Sequence, residues 1–391
     1  MALRNLLLAG MATSASAVKL LVGGYGPTGD NPNGYLDTLD YTNGALKKTS
    51  ENTEAGAQPA WIDLTLKGKA VVVDESWATA NSSGLHTFAI NADSSVQHTA
   101  YVEIPRGGPV STQFYNNNAN LAIAHYGGHG LTTYTVGANG FTLLQNIGYE
   151  DRTPGPKPQQ ADGSHVHHSV LDPTGQYVVF PDLGLDVTHV FCIDGSTGKL
   201  VEHAELKAPT GYGPRHAAFW KSGSTTYLFI IHELENKIIS YKVDYVRSGG
   251  LTFKQIDEVS TYGTATEATK YGAAAEIAVS PDSKFLLASN RNVTLTQVPN
   301  VDPNNSTKID SNSIATFKLA STGKLSFVQL APSGGLFPRH FELNKDGSQI
   351  AIANQNSGNV RIYKRDVATG KIGAQAAAIA VPGSPNNVRW L

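Results

Sequence analysis

The sequence predicts an all-β chain: a seven-bladed β-propeller of four-stranded antiparallel blades, with one blade split between the N- and C-termini. Three observations carry that prediction. A unit of apolar strand, polar turn and second apolar strand returns along the chain at intervals of roughly 35–60 residues, the spacing of propeller blades. Only 16% of residues are charged, while 39 glycines and 19 prolines supply the turns that short strands need. No segment of any length carries a helical period.

Taken in order, the chain opens with MALRNLLLAGMATSASA. Arg4 gives a positive start, Leu6 to Met11 an apolar run, and Ala15-Ser16-Ala17 a small-residue cleavage site. Residues 1–17 therefore read as a secretory signal peptide, residues 18–391 as one propeller domain, and the protein as secreted and extracellular. Strand character begins at once in VKLLVGGYG, from Val18, and ends in PNNVRWL at the C-terminus. Pairing these two pieces in one blade closes the ring and removes two open sheet edges.

Between them come AWIDLTLKGKAVVVDES from Ala60, VSTQFYNNNANLAIAHYG from Val110 and HHSVLDPTGQYVVFPDL from His167. RHAAFWKSGSTTYLFIIHE from Arg215, AAEIAVSPDSKFLLASNR from Ala274 and RHFELNKDGSQIAIANQ from Arg339 complete the set. The turns DPTGQ, SPDSK and NKDGS separate first from second strands, and DGSTGKL, LASTGKL and VATGKIG mark a later hairpin. The Pro/Gly-rich stretches 153–164 and 297–307 read as surface loops.

Bulk properties exclude some classes of function. A formal net charge of −2 provides no basic field for nucleic acid. No stretch after the leader approaches the roughly 18 apolar residues that span a membrane. Cys192 is alone, so no internal disulfide forms, and in the strand HVFCID it reads as an inert thiol. Glycosylation sequons stand at Asn81, Asn292, Asn304 and Asn305. A monomer acting on a small molecule, with no cofactor, is expected.

The innermost strand of each propeller blade lines the central channel, so equivalent positions form rings. The copies register on Leu64, Phe114, Leu171, Phe219, Val279, Leu343 and Trp390. Four residues earlier stand Ala60, Val110, His167, Arg215, Ala275, Arg339 and Asn386; the next ring holds Trp61, Ser111, His168, His216, Glu276, His340 and Asn387. Two repeated positions thus gather two arginines, four histidines and a glutamate, a concave titratable cluster suited to binding or catalysis. Second-strand ends add Tyr25, Glu75, Asp182, Glu233, Arg291 and Gln355.

HSVLDPTGQYVVFPDL, GPRHAAF, EIAVSPDSKFLLASNR and FPRHFELNKDGSQIAIANQ together resemble the lactonase family of seven-bladed propellers. That family includes 6-phosphogluconolactonases and the fungal 3-carboxy-cis,cis-muconate lactonizing enzyme. The resemblance implies a catalytic set of one histidine, two arginines and a glutamate, which fall on His167, Arg215, Glu233 and Arg291. Around them, His168, His216, Glu276, Arg339 and His340 are expected to orient the reacting groups or contact substrate.

In such a set His167 would act as base near neutral pH, Glu233 would share that task or protonate the leaving alkoxide, and the arginines would clamp the oxyanion. The same groups could run lactone hydrolysis or the related cyclisation. Export argues for an extracellular aldonolactone or another carboxylated lactone over the intracellular family substrates. Two other readings stand beside these. His165 and His167 in HVHH, with His125 and His129, could hold a metal, or the channel could bind a glycan or protein without catalysis.

Overall fold

A computed structural model describes residues 18–26, 33–76, 83–246, 249–264 and 271–391; the leader and Asn81 lie outside them. Seven four-stranded antiparallel sheets surround an axis. Their innermost strands are Pro59–Asp63, Pro109–Tyr115, Val170–Leu171, Pro214–Ser222, Ala273–Val279, Pro338–Leu343 and Ser384–Trp390, which number blades 1 to 7. Blade 7 is the split one. Its C-terminal strand pairs with Val18–Tyr25, with Leu20 opposite Trp390 and Gly23 opposite Asn387.

Strands apolar on both faces explain the ring. Each blade is too thin to enclose a core, so the apolar side chains pack between neighbouring blades. Seven buried clusters result, each drawn mainly from two adjacent blades. Phe229 and Ile231 of blade 4 meet Ala274, Ile277 and Leu286 of blade 5, for example. Leu20 and Val22 of blade 7 meet Ala351 and Ala353 of blade 6. Among the described residues no helix is long and apolar enough to cross a membrane. Cys192 lies free in the third strand of blade 3, Val187–Ile193.

Both stretches read as plain loops do more than connect. Thr296–Pro299 pairs with Lys308–Ser311, forming an additional hairpin on blade 5 that carries Asn304 and Asn305. The 153–164 stretch contains a single 3₁₀ turn, Pro158–Gln160. From it the buried Gln160 donates to the Leu183 carbonyl and to Asp186, and Gln159 reaches towards the axis.

A side chain in a strand alternates faces, so two consecutive residues should not both line a channel. The backbone supplies the exception. The register slips at Pro59/Trp61, Pro109/Ser111, Pro214/His216, Ala274/Ile277 and Pro338/His340, and beside Asn386 in blade 7. Blade 3 shows the same extra residue between the Val166–Asp182 bridge and the Val170–Val179 pair. A bulge re-aims the strand where it occurs, so two neighbouring positions can serve one site. The two rings are therefore the two sides of one repeated bulge.

Candidate active site on the propeller axis

A narrow axial cavity of about 10 Å³, room for about one water molecule, is lined by every first-ring residue except Ala275. From the second ring, Trp61, His216, Glu276, His340 and Asn387 also line it. Two wider grooves lie on the blade surfaces instead; one holds the Arg152–Glu205 ion pair and neither is lined by a histidine. The chemistry is concentrated on the axis.

At one part of this site Glu233 sits between two guanidiniums. Its Oε2 lies 2.9 Å from Arg215 Nε and 2.6 Å from Arg291 Nη2. Backbone carbonyls hold both arginines in place: Arg215 Nη1 donates to Ala275 O at 2.8 Å, and Arg291 Nε to Ala273 O at 3.0 Å. Burial alone would raise the Glu233 pKa, but Arg291 and Arg215 overcome it and hold the carboxyl below its usual range. Glu233 is thus an anion at neutral pH, and the expected role of proton donor to the leaving group does not fit it. Burial, then the like charge of Arg291, pushes Arg215 down to about 9, which still leaves it charged at pH 7.

His167, from the turnless entry to blade 3, lines the same cavity as Arg215. Burial first, then Arg215, His216 and Arg339, drive its pKa well below the ordinary histidine value. The expectation of a base poised near neutrality is corrected accordingly: His167 is a neutral imidazole, able to accept a proton and reluctant to keep it. Arg339 is not remote either. It lines the cavity, donates to Tyr25 Oη at 2.8 Å and pairs with Glu75 Oε2 at 2.8 Å, while Tyr25 also donates to Glu75. Burial disfavours the Arg339 cation, but Glu75 and Tyr25 more than offset that and raise its pKa.

The second ring packs around Trp61, whose indole meets His168, His216 and His340 edge-on at 5.5–5.8 Å. His168 stacks on His216 at 4.2 Å. Glu276 Oε1 contacts His216 Nδ1 at 3.1 Å, with its Oε2 3.9 Å from His340 Nε2. The side-chain amides of Asn386 and Asn387 are buried without a protein partner, which leaves hydrogen-bonding capacity for water or a polar ligand on the axis.

One expected channel residue does not reach it. The pairs Pro59–Asp74, Pro109–His125, Val166–Asp182, Pro214–His232 and Pro338–Asn354 show that Asp182 stands one residue before the Glu233 position. Leu183 holds that position in blade 3. A one-residue slip turns a side chain to the opposite face. Asp182 is fully buried and fastens a loop, accepting from Ser164 Oγ, from the N–H groups of His165, Gly184 and Leu185, and from His189.

The same register places Tyr126 beside Glu233 in role, a residue that sequence reasoning missed although the rule that found Glu233 would have found it. Gln159 bridges the two, its Nε2 lying 3.1 Å from Tyr126 Oη and 2.9 Å from Glu233 Oε1. No periodic signal announces Gln159, because it comes from a loop. Phe337 was also missed. It adopts φ 62°, strained for a bulky residue, and its ring lies 4.7 Å from the Arg291 guanidinium carbon.

The metal reading finds its histidines engaged elsewhere. His165 Nδ1 donates to Tyr126 O at 2.8 Å and its Nε2 meets Asp162 Oδ1 at 2.9 Å. The Tyr126 ring stacks on His165 and stands edge-on to His167. Among the described residues no group of three or more His, Cys, Asp or Glu side chains is arranged to hold a metal ion.

Seven blades closed by the last strand, with buried imidazoles and arginine–carboxylate pairs on the axis, define a propeller enzyme of the small-molecule type. The family model described as "Lactonase, 7-bladed beta-propeller" matches residues 19–390. The chain belongs to this family of lactonase enzymes.

It is 27% identical over 390 residues to a protein of Arthroderma benhamiae named "Probable 6-phosphogluconolactonase", covering 99% of this chain and 92% of that one. A 6-phosphogluconolactonase of Formosa agariphila is 29% identical, over 74% of this chain and 72% of its own. Among solved structures, a periplasmic gluconolactonase of Pseudomonas aeruginosa superposes with a TM-score of 0.78 at 22% identity, covering 96% and 99% of the two chains.

Proposed function

We propose that this chain hydrolyses a sugar-acid or other carboxylated lactone at the mouth of the axial cavity, outside the cytosol. The observation that carries the reading is the Arg215–Glu233–Arg291 cluster, whose Arg215 lines the same axial cavity as His167. Arg215 and Arg291 share the one carboxylate of Glu233, while Glu75 pairs with Arg339 and Glu276 lies against His216. Two guanidiniums on one carboxylate keep donors and charge for an oxyanion that develops during attack.

In the proposed reaction, water loses a proton to neutral His167 while its oxygen bonds to the lactone carbonyl carbon. Arg215 and Arg291, already oriented by Ala275, Ala273 and Glu233, stabilise the tetrahedral oxyanion. Collapse breaks the ring C–O bond, and the departing oxygen takes the proton back from His167. Glu233 remains ionised throughout, acting by orienting the arginines. At about 10 Å³ the axial cavity has room for about one water molecule, far below the roughly 300–1,000 Å³ of most ligand pockets, so the lactone would bind at its mouth near Tyr126, Gln159 and Phe337.

Export rests on the leader-like N-terminus and gains support from the relative named as a periplasmic gluconolactonase. The test is a pH-stat screen of the purified protein against aldonolactones, 6-phosphogluconolactone and carboxymuconate. Acid release from an aldonolactone is expected. Turnover of carboxymuconate alone would replace hydrolysis with cyclisation, and tight oligosaccharide binding without any turnover would replace it with a binding module.

A further inference from the structure

Three consecutive blades contribute a hydrogen-bonded row that the proposed reaction has not yet used. His216 Nε2 lies 3.2 Å from His167 Nδ1, and His216 Nδ1 lies 3.1 Å from Glu276 Oε1. Glu276 Oε1 also accepts the backbone N–H of Ile277 at 3.1 Å, which pins it as an acceptor. An oxygen that already accepts a backbone N–H meets His216 as an acceptor again, so the hydrogen between Glu276 and His216 sits on His216 Nδ1.

Burial, then Arg215, Arg339 and Arg291, keep His216 neutral, which leaves a lone pair on its Nε2. The hydrogen between the two histidines therefore belongs to His167 Nδ1, and the lone pair of His167 lies on Nε2. The surrounding groups agree with this assignment. His168 Nδ1 accepts from Ala217 N–H and His340 Nδ1 from Val388 N–H, so both carry their hydrogen on Nε2. The rings of Tyr126 and Trp61 stand nearly perpendicular to those of His167 and His216, at 81° and 77°.

We propose that Glu276 and His216 are positioning residues: through His216, Glu276 fixes His167 with its Nδ1–H inward and its Nε2 as the proton acceptor, and its charge offsets the imidazolium formed during catalysis. The tautomer assignment stands on geometry, while its catalytic consequence rests on the lactonase reading. When Nε2 takes the proton from water, His167 leans its Nδ1–H further towards His216, which leans its own towards Glu276. No atom is gained or lost. The need is plain, because Arg215 and Arg339 oppose a positive charge on His167, and Glu276 is the carboxylate tied to it through His216.

Long-range ¹H–¹⁵N spectra of histidine-labelled protein test the first half directly. At pH 7 both His167 and His216 should appear as Nδ1–H tautomers, assigned by the signals lost in H167Q and H216Q. His167 carrying its hydrogen on Nε2 would overturn the proposal whether or not any lactone is turned over. Turnover is the second test. Glu276→Gln keeps a pinned acceptor and removes the charge, so kcat should fall about 100- to 1000-fold with KM little changed, below the roughly 10⁴-fold known for a directly bonded triad carboxylate. The acidic limb of its kcat profile should move to lower pH, while Glu276→Asp should keep the wild-type limb. An E276Q enzyme with an unmoved limb and nearly full kcat would refute the role. Correct tautomers with no turnover of any lactone would instead refute the lactonase reading.

Discussion

Blades 2 and 4 have nearly the same inner backbone and different chemistry. Each first strand begins at a proline paired with a histidine, Pro109 with His125 and Pro214 with His232, and each then slips register by one residue. Blade 2 uses the slip to present Val110 and Ser111; blade 4 uses it to present Arg215 and His216. Past the second strand, blade 2 continues with Tyr126 and blade 4 with Glu233. The bulge is thus a fixed mount, and the residue standing on it decides whether a blade closes the channel or furnishes it.

The blade between them sharpens the comparison with the largest expected effect. Asp182→Ala removes an acceptor bonded to Ser164, His165, Gly184, Leu185 and His189 deep in blade 3, and should destabilise the fold by about 3–5 kcal/mol. Denaturant titration measures the loss, and kcat per folded molecule should stay near wild type. A selective loss of kcat would put Asp182 back among the channel residues. Next comes Arg215→Ala, expected to cost about 100- to 1000-fold in kcat. Because Arg215 is only 1% exposed, the variant should also lose stability; Arg291 still pairs with Glu233. Retained turnover would remove Arg215 from the mechanism.

The third prediction concerns what both blades share. Burial chiefly holds His125 of blade 2 and His232 of blade 4 down to about 3, and His340 likewise. Their unfolded forms take up protons below about pH 6.5, protons that the folded chain refuses. Stability is therefore full above that pH and declines as pH falls towards 3, by about 1.4 kcal/mol per pH unit for each such histidine. Thermal melts between pH 8 and 4 should show Tm falling only below about 6.5. A Tm that rises on acidification would contradict the neutral, buried imidazoles. Val110→Ala should do least, with kcat unchanged and stability reduced by about 1 kcal/mol for the apolar volume removed.

Much of this was legible in the sequence because the fold repeats. Registering the copies on residues such as Phe219 and Leu343 located both rings, since a repeated strand carries equivalent residues to equivalent places. The split blade followed from strand character at both ends of the chain. Asp182 was misplaced because blade 3 has only two residues, Val170 and Leu171, in regular pairing on its inner strand, so its register could not be counted from periodicity. Gln159 and Phe337 belong to turns and strained loop positions, where no period exists to read. The charge states escaped too. Burial and like-charged neighbours set the pKa of His167, and those are known only when the blades are brought together.

Closure by the last strand has a consequence for how the protein comes into being. Trp390 meets Leu20, and the Leu391 N–H donates to Lys19 O at 2.9 Å, so the first and last described strands are neighbours in space. A newly made chain cannot seal its ring until Ser384–Trp390 has been made, and contacts so distant in sequence form slowly. Asn386 and Asn387, which complete the wall of the cavity, arrive in that same closing strand. The wall of the axial cavity is consequently among the last things to be completed during biosynthesis, and a chain lacking this strand would leave it open.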